Sequence, residues 1–175
     1  MQWLILPLVG VAGGLIFYQD LKTRSVTWVL FPILAVGGLL YSFYYSGSLE
    51  IVVKNFAMNI GFLFLQYLLL KIILTVKGKR ESQLEKKIGW GDILFLLACA
   101  SFFSPANFII FYFLSLVFSL LFHFLFKLIN KKNYQNTIPL AGFQALFLFL
   151  YIYLNEIVNN NLASDDWIAF YLSGI

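Results

Sequence analysis

Six apolar runs divide the chain, and they constrain its fold more than any other feature. The runs lie approximately at 3–17, 28–45, 51–76, 88–103, 106–129 and 138–154. A helix that crosses the ~30 Å hydrocarbon core of a bilayer needs about 20 residues, and only the first and fourth runs are short for this. Because the runs are continuous, they lack the alternation of membrane β-barrel strands. The sequence therefore predicts an all-α polytopic membrane protein, a bundle of about six transmembrane helices.

The composition supports a protein that has lipid as part of its solvent. Of the 175 residues, 61% are hydrophobic and 11% are charged, with a mean hydropathy of +0.85. Soluble domains carry about 25% charged residues, so this chain has too little polar surface to cover a globule in water. We expect one transmembrane domain over residues 1–175, with an external or interfacial tail at 155–175, and membrane lipids as its surroundings.

The basic residues predict the orientation of the bundle. Lysine and arginine are concentrated in alternate connections, at 18–27, 77–87 and 127–137. The other connections, at 46–50 and 104–105, and the tail at 155–175 contain neither. Cytoplasmic loops are the ones enriched in these residues, so we expect both termini outside and the basic loops in the cytoplasm. The net charge of +4 is explained by topology, and we expect no nucleic-acid partner.

Two aspartates have no ordinary surface explanation. Asp20 is expected to close the first helix and Asp92 to open the fourth, both on the cytoplasmic side. Carboxylates at membrane depth are costly and indicate function by default. Two structural explanations stay open: Asp92 as a partner of its own helix dipole, and Asp20 as a hydrated residue just past a helix end. However, Gly89 and Gly91 flank Trp90 directly before Asp92, and a plain helix start would need only a capping residue.

A pair of carboxylates in contact has a specific chemistry. Both members cannot ionise easily, so the pair holds one proton near neutral pH. The ionised member can take a proton from an attacking water, and the protonated member can donate to the oxyanion or leaving amine. This hydrolysis needs no metal or other cofactor, and we expect none. Cys99 is the only cysteine and His123 the only histidine.

Three local sequences resemble a known family. Gly89-Trp90-Gly91-Asp92 matches the GxGD motif of intramembrane aspartyl proteases, and the chain as a whole resembles the membrane domain of type IV prepilin peptidases. The segment that begins at Asp20 is similar to the family's first catalytic element, an acid followed by basic residues. The segment 137–143, with its Ile-Pro pair, resembles the start of the family's last helix.

The resemblance implies an activity and a location. Asp20 and Asp92 would form the catalytic dyad, supported by the backbone of Gly89, Trp90 and Gly91. The substrate would be a prepilin-like protein with a basic leader and a hydrophobic helix, cut at the cytoplasmic face of a prokaryotic inner membrane. The paired-cysteine segment that larger members use for methylation is lacking here, so the resemblance is to a peptidase-only short form.

Other polar residues are candidates for the site or for packing. Pro139, Gly142, Gln144 and His123 are predicted as possible site-lining residues. Asn59, Gln66 and also Gln144 are predicted as interhelical polar contacts. The alternative to a peptidase is a non-enzymatic membrane subunit, such as a small transporter or assembly component. In that protein Asp20 and Asp92 would cap helices or relay protons.

Overall fold

The structure is a computed structural model that describes residues 2–76, 89–129 and 139–168, with side chains from Ile5 onward except that of Ile129. These residues form six helices and no strand, and a further helical turn begins at Asp166. The helices are α1 (Gln2–Thr23), α2 (Leu30–Ser46), α3 (Leu49–Val76), α4 (Trp90–Cys99), α5 (Pro105–Ile129) and α6 (Leu140–Ile157). The prediction of an all-helical polytopic membrane protein is confirmed.

Helix lengths differ from the predicted runs at the start of the chain. Four helices, α1, α3, α5 and α6, are long and apolar enough to cross a membrane, whereas α2 and α4 are shorter apolar helices. The first helix was expected to be short, but it continues to Thr23. The second was expected to be long, but the chain enters it only at Leu30. The reason is local: the Gln19 side chain accepts a hydrogen bond from the Thr27 amide at 2.8 Å, which holds the connection outside the helix.

The helix α6 lies at the centre of the bundle. It packs against α1, α4 and α5, and 39% of its span is buried, the largest share among the four long helices. An aromatic cluster joins it to its neighbours, with the Phe103 and Phe111 rings stacked at 4.8 Å and Tyr151 against both. Since α6 touches three other helices, its N-terminus can bring side chains from several of them together.

The helix α4 is too short to cross the bilayer, and the described part of the tail packs against the corner that follows it. Its ten residues extend about 15 Å at 1.5 Å per residue. At the corner that follows, Ser104 donates its amide hydrogen to Leu162 O at 2.9 Å, and its hydroxyl donates to Asp165. Leu162 and Ala163 are buried. The tail that the sequence predicts to be external or interfacial therefore packs, over its described part, against the α4–α5 corner.

The helix α3 is the least buried of the long helices, with 6% of its span buried. Its clearest polar attachment is Asn59, which is 1% exposed and donates to Ala100 O at 2.9 Å and Phe103 O at 2.8 Å. Asn59 thus binds the end of α4, which confirms it as an interhelical polar contact. The basic loops at 77–87 and 127–137 fall wholly or mostly outside the described residues, so the orientation stays a prediction.

The substitution Asn59→Leu should loosen α3. It would leave two buried carbonyl groups without their donor, and we expect it to lower the free energy of unfolding by about 1–3 kcal/mol. Thermal unfolding in detergent, followed by circular dichroism, measures the change. The control is Met58→Leu at the neighbouring exposed position, a volume-conserving change. An Asn59→Leu protein as stable as the control would contradict this role.

Candidate active site

Two acidic side chains from different helices meet at the N-terminus of α6. Asp20, in the last turns of α1, accepts a hydrogen bond from the Gly142 amide at 2.7 Å. Asp92, in the first turn of α4, accepts one from the Ala141 amide at 3.0 Å. These amides are consecutive in the chain. The structure therefore brings Asp20 and Asp92 together, as the predicted pair requires.

The geometry limits how far apart the two carboxylates lie. Adjacent residues are ~3.8 Å apart along the chain, so the bound oxygens of Asp20 and Asp92 lie within ~10 Å of each other given hydrogen bonds of 2.7 and 3.0 Å. Asp20 is 8% exposed and Asp92 is partly buried. The charge of Asp20 also acts on Asp92.

The N-terminus of α6 attracts carboxylates for a general reason. The first amides of a helix have no partner within the helix, and the helix dipole places partial positive charge there. No side chain of its own caps α6, since its N-cap residue is Pro139. Asp20 and Asp92 supply the missing acceptors from two other helices. The site thus stabilises α6 as well as placing two acids side by side.

Asp92 is also held by the start of its own helix. It lies in the first turn of α4, where a carboxylate interacts favourably with the dipole, and its amide donates to Gly89 O at 3.0 Å. A Cβ atom on Gly89 would lie 2.9 Å from Asp92 Oδ2. Glycine at this position therefore lets the carboxylate fold back over the helix start and reach α6.

The other two positions of the motif have looser surroundings. A Cβ atom on Gly91 would meet only Phe31 Cζ, at an ordinary contact distance of 3.9 Å. The Trp90 side chain is 71% exposed. The supporting roles predicted for Gly89, Trp90 and Gly91 stay predictions, but the sterics single out Gly89 as the position where a side chain would press on the acid.

Gly142 allows α1 and α6 to approach closely at Asp20. A Cβ atom there would lie 3.1 Å from both Asp20 Cβ and Asp20 Oδ2, and 3.4 Å from Phe17 O. The residue is buried and also donates the hydrogen bond to Asp20. Gly142 therefore lines the candidate site through its backbone, and Pro139 lies just before it as the buried N-cap residue of α6.

Gln144 and His123 have other neighbours. The fully buried Gln144 donates to Ser115 Oγ at 3.2 Å on α5, and its Oε1 atom has no hydrogen-bond partner among the described residues. Gln144 therefore forms an interhelical contact, as expected. His123, on α5, lies where the charges of Arg24 and Lys127 act on it. Their predicted roles in lining the site stay predictions.

Arg24 is a residue near the site that the sequence alone did not single out. It follows α1 in a left-handed conformation with φ of 55°, which is uncommon outside glycine. Its Nη1 atom is buried without a hydrogen-bond partner in the described part of the chain, and its charge acts on Asp20. The sequence shows a basic residue four positions after Asp20, which could have pointed to Arg24. It does not show the left-handed backbone conformation of Arg24.

A cavity of about 470 Å³ borders Asp92. It lies between α3 and the helices α4 and α5, and Leu140 at the start of α6 contributes to its lining. Most of the lining is apolar, with Gln66 and Tyr112 among its polar side chains. Within the described residues, no three His, Cys, Asp or Glu side chains form a group that could hold a metal ion.

The fold and its paired acids define a multi-pass helical membrane protein with two carboxylates at one helix N-terminus. The chain belongs to the type IV leader peptidase family, whose model matches residues 8–124. The match includes Asp20 and Asp92 and ends before α6. Comparison with curated proteins and with solved structures gives no match. The resemblance predicted from the sequence is confirmed at the level of the family, which supports a membrane peptidase in general.

The substitution Gly142→Ala should disturb the contact between α1 and α6. Its methyl group would press on Asp20 and Phe17, and overpacking of this kind costs about 1–3 kcal/mol. Thermal unfolding in detergent measures the loss. The matched control is Gly14→Ala in α1, where an added Cβ meets nothing within 4 Å and should be neutral or slightly stabilising. Equal stability of the two variants would show that α1 and α6 do not approach as closely as described.

Proposed function

We propose that this protein is a membrane aspartyl endopeptidase that removes the leader peptide of type IV prepilin-like precursors at the cytoplasmic face of a prokaryotic inner membrane. Asp20 and Asp92 activate the water that hydrolyses the peptide bond. The observation that carries the proposal is the convergence of these two side chains, from α1 and α4, on adjacent amides of α6.

The two carboxylates divide the acid and base work of hydrolysis. The ionised member takes a proton from water as the water oxygen bonds to the peptide carbonyl carbon. The protonated member donates its proton to the developing oxyanion. As the carbon–nitrogen bond breaks, the leaving nitrogen receives a proton from the pair, and one hydroxyl of the tetrahedral intermediate returns a proton to the pair as the carbonyl re-forms. The products are a carboxylic acid and an amine, and the pair holds a single proton again.

The α6 amides contribute by fixing the two acids before the substrate arrives. Each carboxylate uses one oxygen to accept an amide hydrogen bond, which leaves its second oxygen for water or substrate. A preorganised polar site lowers the cost of orienting catalytic groups in the transition state. The partial burial of Asp20 and Asp92 also favours their sharing one proton.

A second candidate is favoured by the same hydrogen bonds. In a non-enzymatic membrane subunit, Asp20 and Asp92 would serve only to cap α6 and to hold α1 and α4 against it through interhelical hydrogen bonds. The contacts to Ala141 and Gly142 meet that requirement too. The family match covers both acids, which favours the peptidase.

Removal of charge without loss of the hydrogen-bond acceptor separates the two functions. Asp20→Asn and Asp92→Asn keep an oxygen for the α6 amides but cannot exchange protons as carboxylates do. We expect each to lower the rate of leader removal by at least about 100-fold, while expression and thermal unfolding stay close to wild type. Co-expression with a prepilin-like precursor, followed on a gel, measures processing.

The matched control is Asp166→Asn, the same chemical change at an exposed residue far along the chain in the tail. It should process the precursor at the wild-type rate. Continued processing by both site variants would refute the dyad. A wild type that is well folded but leaves every prepilin-like precursor intact would favour the membrane subunit.

The two glycines of the motif should differ in their sensitivity to substitution. Gly89→Ala would force Asp92 Oδ2 to move, because the new methyl group would lie 2.9 Å from it. A misplaced catalytic group can cost up to about 100-fold in rate, so we expect a large loss of processing. Gly91→Ala meets only Phe31 at 3.9 Å and should retain most activity. Equal losses in the two variants would contradict the steric role of Gly89.

A further inference from the structure

The cavity beside Asp92 contains polar groups that the dyad does not use. Its polar side chains besides Asp92 are Gln66, Tyr67 and Tyr112. Gln66 and Tyr112 both line this cavity, and the Tyr112 ring packs edge-on against Phe62 at 5.8 Å. Gln66 and Tyr112 therefore form a polar pair, contributed by α3 and α5, inside an otherwise mostly apolar cavity.

The polar pair lies at the same depth in the bundle as Asp92. Asn59 on α3 is level with the end of α4, since it donates to Ala100 O and Phe103 O. Gln66 lies about two helical turns beyond Asn59, and Asp92 lies about two turns back along α4 from its end. Both run in the same direction away from the α4–α5 corner, so a chain segment in the cavity would meet the pair and Asp92 together.

The α3 wall of the cavity is built largely from exposed side chains. Several α3 side chains of its lining are exposed, among them Phe64 at 59% and Tyr67 at 47%. As described above, α3 is also the least buried long helix. A helix that lies in the membrane can therefore reach Asp92 laterally, without passing through the bundle.

A substrate whose cleaved bond borders a membrane helix presents a chemical problem. Within a helix each carbonyl is hydrogen-bonded to an amide four residues on and is enclosed by the neighbouring turns. The segment next to the cleaved bond must unwind before water can attack. Its freed amide and carbonyl groups then lack partners, which is costly in a non-polar environment. A side-chain amide and a phenol hydroxyl can both donate and accept hydrogen bonds.

We propose that Gln66 and Tyr112 form a subsite that hydrogen-bonds the unwound backbone of the substrate's apolar segment, directly after the cleaved bond. The inference rests on the proposed function. The occupant is the apolar segment because Asp92 is the one charged side chain among the described residues that line the cavity. Within that part of the chain, the basic leader would find no counter-charge there other than Asp92. A lipid acyl chain would also fill the space, but it has no hydrogen-bonding group to pair with Gln66 or Tyr112.

Kinetics on the purified protein test the two side chains. Gln66→Leu removes the amide, and Tyr112→Phe removes only the hydroxyl and keeps the ring against Phe62. The loss of one hydrogen bond predicts a drop of about threefold to tenfold in kcat. KM should stay nearly unchanged, because the contacts form only after unwinding. The control is Tyr44→Phe, the same change at an exposed residue of α2, which should match the wild type.

Photo-crosslinking tests the occupant of the cavity. A benzoylphenylalanine residue replaces either Tyr67, which lines the cavity, or Leu65, which lies on the opposite face of α3 and is 55% exposed. Both variants carry Asp20→Asn so that the precursor stays uncut. We expect a strong adduct with the apolar segment of the precursor from position 67 and a weak one from position 65, identified by mass spectrometry.

The outcomes separate this inference from the proposed function. If wild-type protein leaves the precursor intact, both are overturned. If it cuts the precursor while Gln66→Leu and Tyr112→Phe keep the wild-type kcat, the subsite is overturned and the peptidase stands. An adduct from position 67 that contains phospholipid or the leader instead of the apolar segment also overturns the subsite. A drop in kcat together with the expected adduct supports it.

Discussion

The structure depends on hydrogen bonds from the first amides of α6 to Asp20 and Asp92. A helix that begins within a membrane bundle has unpaired amides that must find acceptors, and α6 has no capping side chain of its own. Two carboxylates placed near each other repel, and the positive end of the helix dipole reduces that repulsion. The carboxylates thus supply acceptors for the unpaired amides of α6, and the α6 N-terminus lowers the repulsion between the carboxylates.

This arrangement requires α6 to be central and α4 to be short. Because α6 packs against α1, α4 and α5, its N-terminus can receive one acid from α1 and one from α4. The ten-residue α4 places Asp92 beside the N-terminus of α6, while its other end, at the buried Cys99, stops inside the bundle. The tail then covers that end through Leu162 and Asp165. A fold that spans the bilayer with every helix would not need such a cover.

The sequence predicted the class of fold, the family and the meeting of Asp20 with Asp92, because apolar runs and rare membrane acids are local signals. It did not predict the ends of α1 and α2, which depend on the hydrogen bond from Thr27 to Gln19. Nor did it predict that Ala141 and Gly142 bind the acids, because backbone donors carry no residue signature. The burial of the tail was missed for a similar reason: Leu162 and Ala163 lie in a polar stretch, and only the tertiary corner gives them a partner.

The two readings of the acids, structural and catalytic, are not exclusive. A carboxylate that caps a helix through one oxygen keeps the other free, and the cap holds it in place at no further cost when a substrate arrives. The glycines show where the backbone approaches the two carboxylates most closely. Gly89 and Gly142 lie where a side chain would press on Asp92 and Asp20, whereas Gly91 and Gly14 do not. A merely structural pair of caps would tolerate small displacements of the carboxylates, but proton transfer to water requires their free oxygens to stay within hydrogen-bonding distance of one attacking molecule. The close fit at these two glycines is therefore what the proposed chemistry at the acids would require.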